Sequence, residues 1–411
     1  MEQEELLTPR TFRFVVGVIR SVGWWPPAAR SRGYRAWTAA CLLLLAAMFS
    51  LHVVHVCVSL GDLRVFAESC CLLLSLLNLW FKVAHMLARQ REVARLVERA
   101  TREVPAALQR RCPGLATRAS RRIRALGASF VGLSHASAAF WMLSPAAGRL
   151  LDPAATPALP LNTWYPYDAL GSPAAYWGTY CLQVCTLCVV VSSYSALSII
   201  YIMLIVAGGA RFEMVSELLR SAGEEEAGPT GWAVDSSRGV WVECIDFHQA
   251  AFEFVKDLDD VFSPVVLVEF LVCLGIICQA GFLVMVKSKD ISDYIKYSGY
   301  LGTTVLELLL YCWYANEIVH QSSDVQAAAY DSPWHRGSAR HKMAVRMVVA
   351  RSQKRLCLTA GGMHAISLDT FTGERPQHEA RNDSVFLEEA RTGGAAPLKR
   401  PAHVQYTWYV I

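Results

Sequence analysis

Charge is what this chain has least of. Only 18% of its 411 residues are Asp, Glu, Lys or Arg, where a soluble domain carries about 25%. Hydrophobic residues make up 54%, gathered into runs long enough to cross a bilayer, which excludes a soluble fold. Other absences narrow the function. There is no glycine-rich phosphate loop, no metal-ligand spacing and no nucleophile elbow, so neither an enzyme nor a cofactor is expected. The first 36 residues hold no compact apolar core ahead of a small-residue cleavage site, which predicts that no leader is cleaved and that the first span is its own insertion signal. No internal repeat and no long low-complexity tract is present.

Six apolar stretches are there, at about 37–60, 65–87, 127–147, 176–206, 262–286 and 294–314. Each reaches across roughly 30 Å of hydrocarbon at 1.5 Å per residue. The fourth is longer than it needs to be, which predicts tilt or extension past the membrane. Basic residues sort the segments between them. The N-terminal segment, the second loop (eleven arginines from Arg89 to Arg124), the fourth loop and the segment after the sixth stretch hold 28 lysines and arginines; the first, third and fifth loops hold four. The positive-inside rule then puts the N-terminus in the cytoplasm. Beside a membrane the second-loop arginines read as topology signals and contacts to anionic lipid, not as a nucleic-acid surface.

The inferred external loops contain no cysteine; all 13 lie in spans or cytoplasmic segments, so no external disulfide is available. Cys181, Cys185 and Cys188 share a helix face of the fourth stretch and are expected to be small core residues that let helices approach. His52, His55, His85 and His135 fall in spans without ligand partners and are expected to be buried, neutral and hydrogen-bonded. Residues 240–261 have helical apolar spacing running into the fifth stretch, which predicts a helix continuing below the membrane.

Two acids, Glu269 and Glu307, lie inside spans. An intramembrane carboxylate is costly and faces the bundle interior or water. One reading is an ion path or gating contact; the other is a protonated or hydrogen-bonded packing residue. Aromatics cluster in the outer halves of the spans. Tyr176, Trp177 and Tyr294, at the very edge, read as an interfacial belt. Phe66, Phe140, Trp141, Tyr180, Tyr297 and Tyr300 are the candidates to line a cavity for a small apolar ligand.

The stretch 311–371 carries the most specific signal. Tyr311-Cys312-Trp313-Tyr314-Ala315-Asn316-Glu317 closes the sixth span. Ser322 and Ser323 follow, then Ala329-Tyr330-Asp331-Ser332-Pro333-Trp334, then the run from Ser352 to Gly362 (SQKRLCLTAGG), then Leu368 to Phe371 (LDTF). Upstream, Cys244 and His248 make a C-x-x-x-H pair ahead of the fifth span. Together these resemble the C-terminal signature of insect odorant receptors.

The resemblance implies an all-α membrane protein of seven helices: an odorant-gated, non-selective cation channel subunit of olfactory sensory neurons. It also implies a heterotetramer with a shared co-receptor, a volatile odorant as ligand, and a place in the plasma membrane of the neuron's dendrites. On this chain it implies a cytoplasmic N-terminal segment (1–36), a helix bundle with the ligand pocket and cytoplasmic extensions (37–316), and an anchor segment with the start of helix seven (317–371). The anchor would draw on about 207–261 and 311–358, and the pore helix would begin near 363–371. Residues 372–411 depart from the pattern. They are charged, with Pro376, Pro397 and a Gly-Gly break, and each central Arg or Asp would add about 2.5–3.5 kcal/mol to insertion. Six visible spans and a polar tail are therefore expected, as in a non-conducting, truncated variant. A gustatory-type chemoreceptor is the neighbouring alternative. A G-protein-coupled receptor would want an external N-terminus, and a transporter would want inverted repeats or broken helices.

Overall fold

The computed structural model describes residues 10–26, 32–102, 113–151, 158–226, 234–287, 291–332, 334–336, 339–354 and 356–367. The elements run in chain order as α1 (Arg10–Ser21), α2 (Arg32–Val58), α3 (Leu63–Arg102), α4 (Pro113–Leu151), α5 (Pro173–Glu226), α6 (Val234–Lys287), α7 (Ile291–Asp331) and α8 (Ala339–Ser352). A two-stranded hairpin, β1 (Thr359–Ala360) and β2 (His364–Ala365), follows, paired antiparallel. The polar tail 372–411 and the Leu368–Phe371 step lie outside the described residues. Residues 363–367 belong to the hairpin and the chain just after it, so helix seven does not begin there.

Among the described residues, five helices are long and apolar enough to cross a membrane by themselves, and they carry the first five stretches. The sixth stretch is the outer half of α7, whose apolar content is diluted by Tyr297, Tyr300, Thr303, Thr304 and Glu307. Those residues face inward, so the dilution comes from the position of α7 in the bundle.

The hub is α5. At 54 residues it runs about 80 Å at 1.5 Å per residue, far beyond the bilayer, and its lower half stands in the cytoplasm. From Ala196 to Val206 every residue is buried, as expected of a helix that is apolar all round. The helices α1, α3, α4, α6 and α7 pack around it. Equally long, α6 is continuous from the cytoplasmic segment into its span, with Pro264 inside it. The sequence-based helix at 240–261 is the lower part of this rod.

The arginine-rich second loop is mostly helix. α3 continues to Arg102, with a local break at Arg89, and α4 begins at Pro113. The arginines whose placement is described, such as Arg91, Arg95, Arg118, Arg121 and Arg124, take the outer faces, while Val93, Leu96, Ala100, Ala116 and Ile123 turn inward. The N-terminal segment holds α1, which presses Phe12, Val15 and Ile19 under the bundle and packs against α4 and α5. It is followed by a tight turn at Gly23 (φ +89°), where a Cβ would lie 2.8 Å from Thr38 Oγ1. The turn drives Trp24 inward, where its indole N–H donates to Ser193 Oγ of α5 at 2.8 Å.

Two expectations fail on the same ground. Cys181, Cys185 and Cys188 are exposed on the outer face of α5 instead of packed in the core. Tyr176 is buried instead of standing at the edge; its hydroxyl donates to the carbonyl of Ala158 at 3.1 Å. In a membrane the lipid-facing side of a helix is as apolar as the packed side, so spacing alone cannot tell them apart.

Candidate functional site

In the outer half of the bundle α3, α4, α5 and α7 splay apart around a cavity of about 480 Å³. His52 of α2 closes part of one side, and residues 158–162, from the segment between α4 and α5, form the roof. That roof is held by α5. Gln183 accepts from Leu161 N–H and donates to Leu161 C=O, both at 3.0 Å, and also donates to the Tyr165 hydroxyl at 3.0 Å. One side chain thus substitutes for a strand partner, satisfying a backbone that would otherwise be buried unpaired.

Three of the six sequence-based candidates meet at the cavity: Trp141 of α4 and Tyr297 and Tyr300 of α7. Trp141 and Tyr297 pack edge to face, with ring centroids 6.5 Å apart. The spacing 297, 300, 304, 307 places successive turns of α7 on one face, so this helix supplies a wall from mouth to floor. The other three candidates are not among the lining residues. Tyr180 packs against Tyr176 and Trp177 and donates its hydroxyl to Met142 C=O. Phe140 is exposed, turned away from the cavity about a quarter of a turn around α4 from Trp141, and Phe66 is half-buried near the start of α3.

The floor is polar, and sequence reasoning missed its organiser. Lys82 of α3, almost completely buried, sits 2.5 Å from Glu269 Oε2 of α6 and 3.2 Å from Glu307 Oε1 of α7. Its ammonium also donates to Ser198 Oγ of α5 at 2.7 Å and lies 4.2 Å from the centre of the Tyr194 ring. The Tyr194 hydroxyl reaches both acids, at 3.2 Å to Glu269 and 3.0 Å to Glu307. Asn78 donates to Glu269 at 3.0 Å and Tyr311 to Glu307 at 3.4 Å.

The pairs 78 and 82, 194 and 198, 269 and 273, and 307 and 311 are each one helical turn apart. Four helices therefore bring an i, i+4 pair to one level of the membrane. Of the two readings of Glu269 and Glu307, neither acid is isolated: both belong to a paired and hydrogen-bonded network. The missed signal was in the sequence, since Lys82 is a lysine inside the second apolar stretch. An ionisable side chain at that depth demands an opposite charge.

Below the membrane, the C-x-x-x-H pair is a packing element. Cys244 and His248 are buried, and His248 lies edge-on to Phe252 and Phe212. Burial holds His248 down to a pKa of about 4, with Arg351 adding to the effect, and pushes the Cys244 thiol up to about 12. The Thr-Ala-Gly-Gly run of the 352–362 motif docks the hairpin onto α6. Asp259 accepts from Thr359 N–H at 2.6 Å and from its hydroxyl at 2.8 Å, and Ser263 accepts from Gly361 N–H and Gly362 N–H at 2.9 and 2.8 Å.

This arrangement of helices has counterparts. The family model for the 7tm odorant receptor matches residues 62–373. The chain belongs to the odorant receptor family. Among curated proteins, it is 26% identical to odorant receptor 22c of Drosophila melanogaster over 360 residues, covering 81% of this chain and 86% of that one. It is 22% identical to odorant receptor 13a of the same species over 380 residues, covering 85% and 89%. With odorant receptor Or2 of Anopheles gambiae the match is 23% over 210 residues and spans about half of each chain, 50% and 54%. The fold matches the solved insect olfactory receptor OR5 from Machilis hrabei, with a TM-score of 0.75 at 14% identity over 89% of this chain and 94% of that one. The same receptor solved in complex with eugenol matches with a TM-score of 0.76. This odorant receptor is thus a multi-pass, all-α membrane protein of sensory transduction.

Proposed function

We propose that this odorant receptor is the ligand-specific subunit of an odorant-gated cation channel, working with a shared co-receptor in a four-subunit assembly. Its place would be the plasma membrane of olfactory sensory neuron dendrites. The observation that carries the reading is the roofed cavity of about 480 Å³ in the outer half of the bundle, within the range of roughly 300–1,000 Å³ that small-molecule sites occupy. The eugenol complex of a receptor with the same fold supports it.

A small volatile odorant would lie against Trp141, Tyr297 and Tyr300. Tyr180 would act by bracing the outer end of α4, while Phe66 and Phe140 are proposed only as flanking residues. Opening follows if the odorant binds the open arrangement more tightly than the closed one, since a ligand shifts an equilibrium only by its differential affinity. The continuous rods of α6 and α7 join the cavity to the cytoplasmic segments 207–261 and 311–358, which are proposed as the subunit anchor.

The test is co-expression with the co-receptor in a cell that lacks its own receptors, with current recorded against an odorant panel. Odorant-evoked current that is absent with the co-receptor alone supports the reading. Surface-assembled complexes silent to a broad panel, with no saturable odorant binding by the purified chain, would overturn it.

A further inference from the structure

Most of the serine and threonine hydroxyls that line the cavity have already given their protons to their own helices. Thr303 and Thr304 both donate to the carbonyl of Tyr300, at 2.8 and 3.1 Å. Ser134 donates to Phe130 C=O at 2.8 Å, and Ser69 to Val65 C=O at 2.7 Å. A hydroxyl that has given its one proton to its own helix shows a cavity only its lone pairs. The Tyr300 hydroxyl bonds the Ser75 hydroxyl, which in turn donates to Cys71 C=O at 3.2 Å, so the phenol proton is used as well.

Two further groups sharpen the imbalance. His52 Nε2 lies 3.0 Å from the carbonyl of Ser69, an acceptor only, so Nε2 carries the ring hydrogen. Nδ1 is then a bare acceptor, buried and without a hydrogen-bond partner among the described residues, on a side chain that lines the cavity. At the floor, Glu307 and Glu269 bring two carboxylates, with four oxygens, against the single ammonium of Lys82; Asn78 and Tyr311 add one donor each, and Tyr194 has one proton for both acids. The hydroxyl of Ser144 on α4 is without a hydrogen-bond partner among the described residues, and that of Ser137 lines the same wall nearer the floor. The excess of acceptors therefore lies across the cavity on α7, at Thr303, Thr304 and Glu307.

We propose that this cavity sorts ligands by hydrogen-bond donation. It takes a small, mostly apolar molecule that carries a hydroxyl or a protonated amine and binds with that head toward Glu307. Molecules of the same shape that only accept, such as aldehydes, ketones and esters, leave buried acceptors facing acceptors and are held less tightly. The inference rests on the reading of this cavity as the odorant site.

It is tested on the full chain in lipid nanodiscs by thermal-shift titration with four probes of matched size: benzyl alcohol, benzylamine, benzaldehyde and toluene. At least one donor is expected to bind on the order of tenfold more tightly than benzaldehyde. The two donor arms tell a neutral head from a charged one. Glu307→Gln, which adds an amide donor at the floor, is expected to bring benzaldehyde to within about twofold of the favoured donor. Thr304→Val, which removes one acceptor without touching the charge cluster, should reduce the preference in the same direction. Equal affinities for the donors and benzaldehyde in the native chain overturn the inference and leave the cavity reading standing. No saturable shift with any of the four probes overturns both.

Discussion

The ammonium of Lys82 on α3 lies 3.2 Å from the carboxylate of Glu307 on α7, 225 positions away, and both side chains are almost fully buried. Two helices that meet only by folding are joined there by opposite charges in hydrocarbon, with Glu269 of α6 as the third member.

Removing Lys82 should be the most damaging single change in the bundle. Lys82→Met leaves two carboxylates buried against each other, and losing one partner of a buried ion pair costs about 3–5 kcal/mol. The expected outcome is loss of monodisperse, detergent-solubilised protein. The triple variant Lys82→Met, Glu269→Gln, Glu307→Gln should recover most of it, because no charge is left without a partner. A single variant that melts like the native chain would show that the three groups do not act as ions.

The aromatic wall should govern sensitivity and not assembly. Trp141→Ala and Tyr297→Ala each remove ring surface and their edge-to-face contact, which should shift odorant dose–response curves by about tenfold. Surface labelling of the complex with co-receptor should stay near native. Unchanged curves for both variants would remove this wall from the binding site.

Gln183 should control the roof. Gln183→Leu keeps the volume and leaves Leu161 N–H and C=O without their partner, at about 1–3 kcal/mol for each buried group. Hydrogen exchange over 158–172 should accelerate, and a bound ligand should leave several-fold faster. Protection that equals the native chain's would mean that the roof is held by its other contacts, Tyr176 to Ala158 and Tyr167 to Thr179.

The hairpin joint needs its glycine. Gly361 has φ +63°, and a Cβ there would lie 2.6 Å from Leu267 Cδ2 and 3.4 Å from Leu267 Cβ. Gly361→Ala should cost about 1–2 kcal/mol for the left-handed backbone alone, read as faster exchange over 356–367. Ligand affinity should be unaffected, because neither Leu267 nor the hairpin lines the cavity.

His248 sets an acid limit on the cytoplasmic layer. Its folded pKa is pushed down to about 4, below the unfolded value of about 6.5. The unfolded chain therefore binds the proton first. The folded state keeps its full margin above about pH 6.5 and loses it as pH falls toward 4, by up to about 3 kcal/mol. His248→Phe, which suits the neighbouring Phe212 and Phe252, should flatten that part of the pH–stability curve. An unchanged slope would mean that His248 is not the group responsible.

The hydropathy runs and the helical extension at 240–261 were legible in the sequence, because bilayer thickness and apolar spacing act on a chain one segment at a time. The signature at 311–362 was legible as a motif, but not as what it does physically, which is to dock a hairpin on Asp259 and Ser263. Other features depended on the assembled bundle. Apolar periodicity could not say that Cys181 faces outward and Tyr176 inward, since lipid and a neighbouring helix are equally apolar. Nor could it choose among the outer aromatics, of which Trp141, Tyr297 and Tyr300 share the cavity and Tyr180 does not. Lys82, Glu269 and Glu307 were each visible as a cost of burial. That the costs offset one another was decided only when four helices brought them to one depth, because charge pairing in a membrane depends on distance in space and not along the chain.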